Sequence, residues 1–117
     1  MQYDPNSPIW LQVMTAIKTD IVTGRRPPGE KLPGGREWAV LYTINPNTAA
    51  RVYQTLEQEA LCFTRRGLGT FITEDTARIA ELRDEMAQAV INNFLNGLDR
   101  LGISREQAIE MIRKKEG

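Results

Sequence analysis

The sequence has no histidine, a single cysteine and no surplus of either charge: 15 Lys and Arg stand against 15 Asp and Glu in 117 residues. Without histidine there is no Ser-His-Asp triad, no Cys-His dyad and no His-ligated zinc. Cys62 alone cannot close an intramolecular disulfide, so oxidative cross-linking is not part of the design. No apolar run approaches the ~20 residues that a membrane helix needs. The opening MQYDPNSPIW is acidic and polar, unlike the basic-then-apolar start of a signal peptide. A soluble cytoplasmic protein is the expectation. Hydrophobic residues make up 41% and charged residues 26%, which is the composition of a packed domain rather than of a disordered chain. One modest core with at most a small appendage fits this length. The zero net charge argues mildly against a nucleic-acid partner.

The catalytic inventory is equally thin. Asp20, Glu37, Glu57 and Glu59 fall on helix faces or ends and form no convergent acid–base pair. Cys62 stands in apolar, β-favouring company and reads as core. No enzyme activity, metal or cofactor is expected. The stretch GRRPPGEK, 24–31, has a superficial likeness to a phosphate-binding loop, but Glu30 separates Gly from Lys and two prolines remove N–H donors.

What is present is helical periodicity and punctuation. Ser7 suits a cap and Pro8 the first position of a helix on which Trp10, Val13, Met14, Ile17 and Ile21 share a face, ended by Gly24. A Pro- and Gly-rich loop follows, with room for a very short strand around Lys31 and Leu32. A second helix is predicted over Gly35 to Tyr42. After a tight connection, Asn45 and Pro46 open a third helix running to about Ala60. Ala49, Val52, Tyr53 and Leu56 form its apolar stripe, which leaves Asn47, Arg51 and Gln54 on the outward face with Thr48 beside them. LCFTRRGLGTFIT reads as a hairpin turning at Arg66 to Gly69. Asp75 or Thr76 caps a long helix, Ala77 to Asn96, with Gly97 at its end, and Ser104 with Gln107 forms the capping box of a last helix.

This order predicts a mainly α fold with a small β-hairpin. A winged helix-turn-helix domain occupies 1–75, and two C-terminal helices occupy 76–117.

Three groups of residues are candidates for binding. Asn45, Pro46, Asn47, Thr48 and Arg51 start the third helix, where helix-turn-helix proteins reach base edges; Asn pairs with adenine and Arg with guanine. The plainer alternative is a helix cap beside a solvated arginine. Arg65, Arg66, Gly67 and Gly69 make a slim basic hairpin tip that suits a DNA groove or backbone, or simply a solvated turn. Arg36 can hold a phosphate or pair with Glu37 or Glu30. On the fourth helix, Ile79, Leu82, Met86, Val90 and Phe94 run down one side. The winged helix is already complete without that stripe, which points to a homodimer contact rather than to core.

With these residues assembled, the sequence resembles the GntR family of bacterial transcription regulators, and within it the short YtrA-like subfamily. The likeness is carried by Pro8-Ile9-Trp10-Leu11-Gln12-Val13 and by Gly24 with Pro28-Gly29-Glu30-Lys31-Leu32-Pro33. It continues through Arg36-Glu37 with Ala39, Asn45-Pro46-Asn47-Thr48 with Arg51 and Tyr53, Arg65 to Phe71, and Leu101 to Ser104. It implies a dimeric DNA-binding protein on a partly palindromic operator, usually a repressor. By that likeness Arg36 holds phosphate, Asn45, Asn47, Thr48 and Arg51 address the major groove, Gly67 to Gly69 form the wing, and the C-terminal helices dimerise. A small-molecule effector would have room only in a crevice beside those helices or at the dimer interface. The rival reading is a winged-helix module for protein interaction without specific DNA binding. Four positions depart from the family pattern: Gly34 for a capping Ser, Trp38 for Leu, and Thr43 and Ala60 for glycines.

The zero net charge is itself an average. Residues 24–73 carry seven basic and four acidic groups, hence +3, and the remainder carries −3.

Overall fold

The computed structural model describes residues 2–116. Its elements are α1 (Ile9–Val22), α2 (Gly35–Tyr42), α3 (Pro46–Gln58), β1 (Cys62–Arg65), β2 (Gly69–Ile72), α4 (Thr76–Arg100) and α5 (Arg105–Lys114). They fall into two compact units, Met1–Leu82 and Arg83–Gly117. The division lies inside α4, after Leu82, rather than at the helix start expected from the sequence. The reason is packing: Leu82 is 2% exposed and belongs to the first unit's core.

In that unit α1 presents Val13, Met14, Ile17 and Ile21 to Ala49, Val52 and Leu56 of α3, all buried. Burial of the valine, leucine, isoleucine and methionine side chains among them stabilises by about 1.5–3 kcal/mol each. Lys18 of α1 reaches Glu59, just past the end of α3, at 2.8 Å. The Arg78 Nε–H of α4 donates to the Glu59 carbonyl at 2.9 Å, which satisfies one of the acceptors that a helix end leaves open.

The start of α1 differs from the expected cap. Pro8 rather than Ser7 is the N-cap, with no side-chain cap bond. The side chain of Gln12 takes over, donating to the carbonyls of Asp4 (2.7 Å) and Ser7 (2.9 Å) and accepting from the Asp4 N–H at 2.8 Å. Gly24 follows the helix at φ 79°, as a C-terminal glycine should.

The hairpin pairs Cys62 with Ile72, Phe63 with Phe71, Thr64 with Thr70 and Arg65 with Gly69. The loop before α2 lies along its edge. Leu32 N–H donates to Thr70 O at 2.8 Å, Ile72 N–H to Glu30 O at 2.9 Å, and Lys31 bridges Phe71. The short strand expected near Lys31 therefore exists as a single bridge.

The second unit comprises the rest of α4 and α5. Ser104 caps α5, accepting from Gln107 N–H at 3.1 Å while its own N–H donates to Gln107 Oε1 at 2.8 Å. Helix α4 does not stop at Gly97 but continues to Arg100, and the chain reverses at Gly102, φ 68°. Leu98 and Ala108 are buried and line one groove, so the extra turn places Leu98 against α5 and outweighs the ~1 kcal/mol cost of an interior glycine.

Candidate nucleic-acid interface

The start of α3 is built locally. Asn45 is extended, at φ −64° and ψ 141°, and its Oδ1 accepts from the Asn47 N–H at 2.7 Å, while Pro46 occupies the first helical position. The Asn45 Oδ1 is thereby engaged in the cap while the residue stays exposed, and Pro46 fixes the entry angle. The side chains left to face outward are those of Asn47 and Arg51, both exposed, with Gln54 one turn on and Thr48 half-buried. Below them Ala49, Val52 and Leu56 are fully buried, so the helix is held by one face and presents the other. Tyr53 is half-buried and its hydroxyl donates to the Pro33 carbonyl, which ties α3 to the loop entering α2. Burial raises the pKa of that hydroxyl.

Arg36, on α2, is exposed and makes no ion pair among the described residues. The Glu30 carboxylate offered to it as an alternative partner is taken by Arg26, at 3.7 Å. Arg26 also reaches Asp20 at 3.4 Å and lies 5.0 Å from the Trp38 ring, so it is structural.

In the wing, Arg65 and Arg66 are exposed, and Arg65 lies 5.4 Å over the Phe63 ring. Gly67 and Gly69 adopt φ 80° and 122°, conformations closed to most side chains. The Lys31 side chain passes close to Gly69, where a Cβ would come within 2.8 Å of Lys31 Cε and the flexible lysine would have to move aside. Lys31 thus crosses the base of the wing. It borders a groove of about 740 Å³ between the wing and the first turn of α2, lined also by Gly34, Gly35, Glu37 and Thr70. Lys31 is not among the binding residues expected from the sequence, where it figures only in a very short strand. Its only local signal was a lysine one residue before a buried leucine.

A second contact was also unforeseen. Trp10 of α1, expected in the core, is half-buried, and its ring lies 3.9 Å from Arg51 Cζ.

Of the five candidate dimer residues, Leu82 is corrected: at 2% exposed it is packed in the chain's own core. Ile79 and Met86 are half-buried, while Val90 and Phe94 are 69% and 46% exposed. Ile91, Met111 and Ile112 are exposed as well, on α4 and α5 of the same unit. Cys62 is buried, and burial pushes its thiol up to about 12, so it is no nucleophile. No cluster of metal-ligating side chains occurs among the described residues.

Comparison with known proteins agrees with this geometry. Residues 10–72 match the family described as bacterial regulatory proteins, gntR family. An uncharacterized HTH-type transcriptional regulator of Bacillus subtilis, YhcF, is 37% identical over 112 residues, 96% of this chain and 93% of that protein. The HTH-type transcriptional repressor YtrA of the same organism is 33% identical over 107 residues, 85% of this chain and 82% of that protein. A solved GntR family transcriptional regulator from Listeria monocytogenes superposes with a TM-score of 0.90 at 38% identity, covering 97% of this chain and all of that one. The chain belongs to the GntR family, in its YtrA-like group, and is a winged-helix transcriptional regulator that works by binding DNA rather than an enzyme.

Proposed function

We propose that the protein is a repressor that binds a partly palindromic operator as a homodimer. The observation that carries the reading is the pairing of Asn47 and Arg51, exposed together on the first turns of a helix whose opposite face is fully buried. A helix start of this kind enters the major groove, where Asn suits adenine and Arg suits guanine. Arg36 and the wing arginines then hold the backbone and set the register. The assignment of the repressor role is supported by the YtrA relative of Bacillus subtilis, named a repressor.

The homodimer is supported by the second unit. Among its described residues only Leu98 and Ala108 are buried, while Val90, Ile91, Phe94, Met111 and Ile112 remain exposed. An apolar surface of that extent calls for a partner, and a second copy related by a twofold axis is the commonest one. Two copies would place two α3 helices in successive major grooves, about 34–36 Å apart, which is why the operator would be palindromic.

The test begins with fragments of the source genome selected by the full-length protein. On a selected fragment, Asn47→Ala and Arg51→Ala should each weaken binding by about 1–3 kcal/mol while circular dichroism stays unchanged. Folded variants that both bind with wild-type affinity contradict the assignment of this face.

A further inference from the structure

We infer that Trp10, which lies on α1 and outside the recognition helix, is a positioning residue that sets the Arg51 guanidinium for base reading. The inference rests on the reading of α3 proposed above and adds to it a role for a residue of another element.

Arg51 Cζ lies over the Trp10 ring, 3.9 Å from its centroid, well within cation–π reach. Trp10 is half-buried and Arg51 exposed, so the ring is anchored and the arginine rests on it. No carboxylate pairs with Arg51 among the described residues. That choice of partner has a consequence. A carboxylate within hydrogen-bond reach would occupy the guanidinium's N–H donors. A ring face offers no acceptor oxygen, and the Arg51 guanidinium has no hydrogen-bonded carboxylate among the described residues, so its N–H donors are available to a base. Stacking also removes much of the rotamer freedom that a long side chain otherwise loses on binding.

The platform is itself fixed. Trp10 sits in the first turn of α1, and that turn is clasped by Gln12, whose side chain makes three hydrogen bonds to Asp4 and Ser7. The wing arginine Arg65 lies over Phe63 at the longer distance of 5.4 Å.

A double-mutant cycle on the full-length protein tests this, read by anisotropy on a selected genomic fragment and on an unrelated duplex of equal length. Trp10→Leu should weaken binding to the selected fragment about three- to thirtyfold, the range of an exposed to partly desolvated stack. Trp10→Phe, which keeps a ring face, should recover most of the loss. Affinity for the unrelated duplex should not move, and Trp10→Leu should cost nothing further in an Arg51→Ala background. Equal losses in both backgrounds, or on both duplexes, overturn the positioning role, as does no loss at all. Arg51→Lys leaves α1 untouched and keeps the charge without the planar stack. It should lose the same preference for the selected fragment, and retention of wild-type preference would also overturn the inference. If Arg51→Ala itself leaves operator affinity unchanged, it is the reading of α3 that fails, whereas a loss with Arg51→Ala but additive Trp10→Leu sinks only the role of Trp10.

Discussion

Thr43 and Ala60 hold φ angles of 54° and 58°, in the left-handed region where a side chain costs about 1–2 kcal/mol and glycine costs little. Both sit at helix exits, Thr43 between α2 and α3 and Ala60 just before the hairpin. Both are also positions where the family pattern has glycine, and here the backbone keeps the turn without it. Ala60→Gly should therefore raise stability by about 0.5–1 kcal/mol, the relieved strain less glycine's extra unfolded-state entropy, with DNA affinity unchanged. A denaturant midpoint that falls would mean that the Ala60 methyl group is held by packing. At the same scale Trp38 takes the place of the usual leucine. It is fully buried, edge-on to Tyr42 at 5.0 Å and beside Tyr53 at 5.6 Å, so the larger side chain is absorbed by an aromatic cluster.

At the scale of elements, what was legible was local. Asn45-Pro46 announced α3 because a cap and a fixed φ act within three residues, and Ser104 with Gln107 announced α5 for the same reason. Removing the latter with Ser104→Ala should cost about 1 kcal/mol and lower the melting temperature, measured by circular dichroism at 222 nm. An unchanged melting temperature would mean that α5 is held by its contacts and not by its cap. What escaped the sequence depended on partners far along the chain. Ser7 lost the α1 cap to Pro8 because Gln12 offered more hydrogen bonds from the next turn. Gly97 did not end α4 because Leu98, one residue later, had a place beside Ala108. The outward face of α3 was read correctly from its period, yet the stack of Arg51 on Trp10 was invisible, since nothing in the spacing of α3 says what α1 brings beside it. For Lys31 the short strand was legible but its partner was not: the bridge to Phe71 is what brings it to the wing.

For the whole molecule, the sequence's zero net charge divides into a basic reader and an acidic remainder, and pairing two chains would double the basic face offered to one operator. The dimer proposed for that purpose relies on a second unit with little core of its own. Met86→Glu or Val90→Glu should shift sedimentation towards the monomer and weaken operator binding, leaving the winged-helix unit folded; an unchanged sedimentation coefficient would place the contact elsewhere. Low net charge also implies weak nonspecific attraction, so discrimination must come from Asn47, Arg51 and the wing. The most direct measurement is the affinity of the wild-type protein, across salt concentrations, for a selected genomic fragment and for an unrelated duplex of the same length. DNA reading by this face predicts that the selected fragment binds at least about a thousandfold tighter, with log affinity falling linearly as log salt rises. Equal affinity for the two duplexes, or binding indifferent to salt, would contradict it.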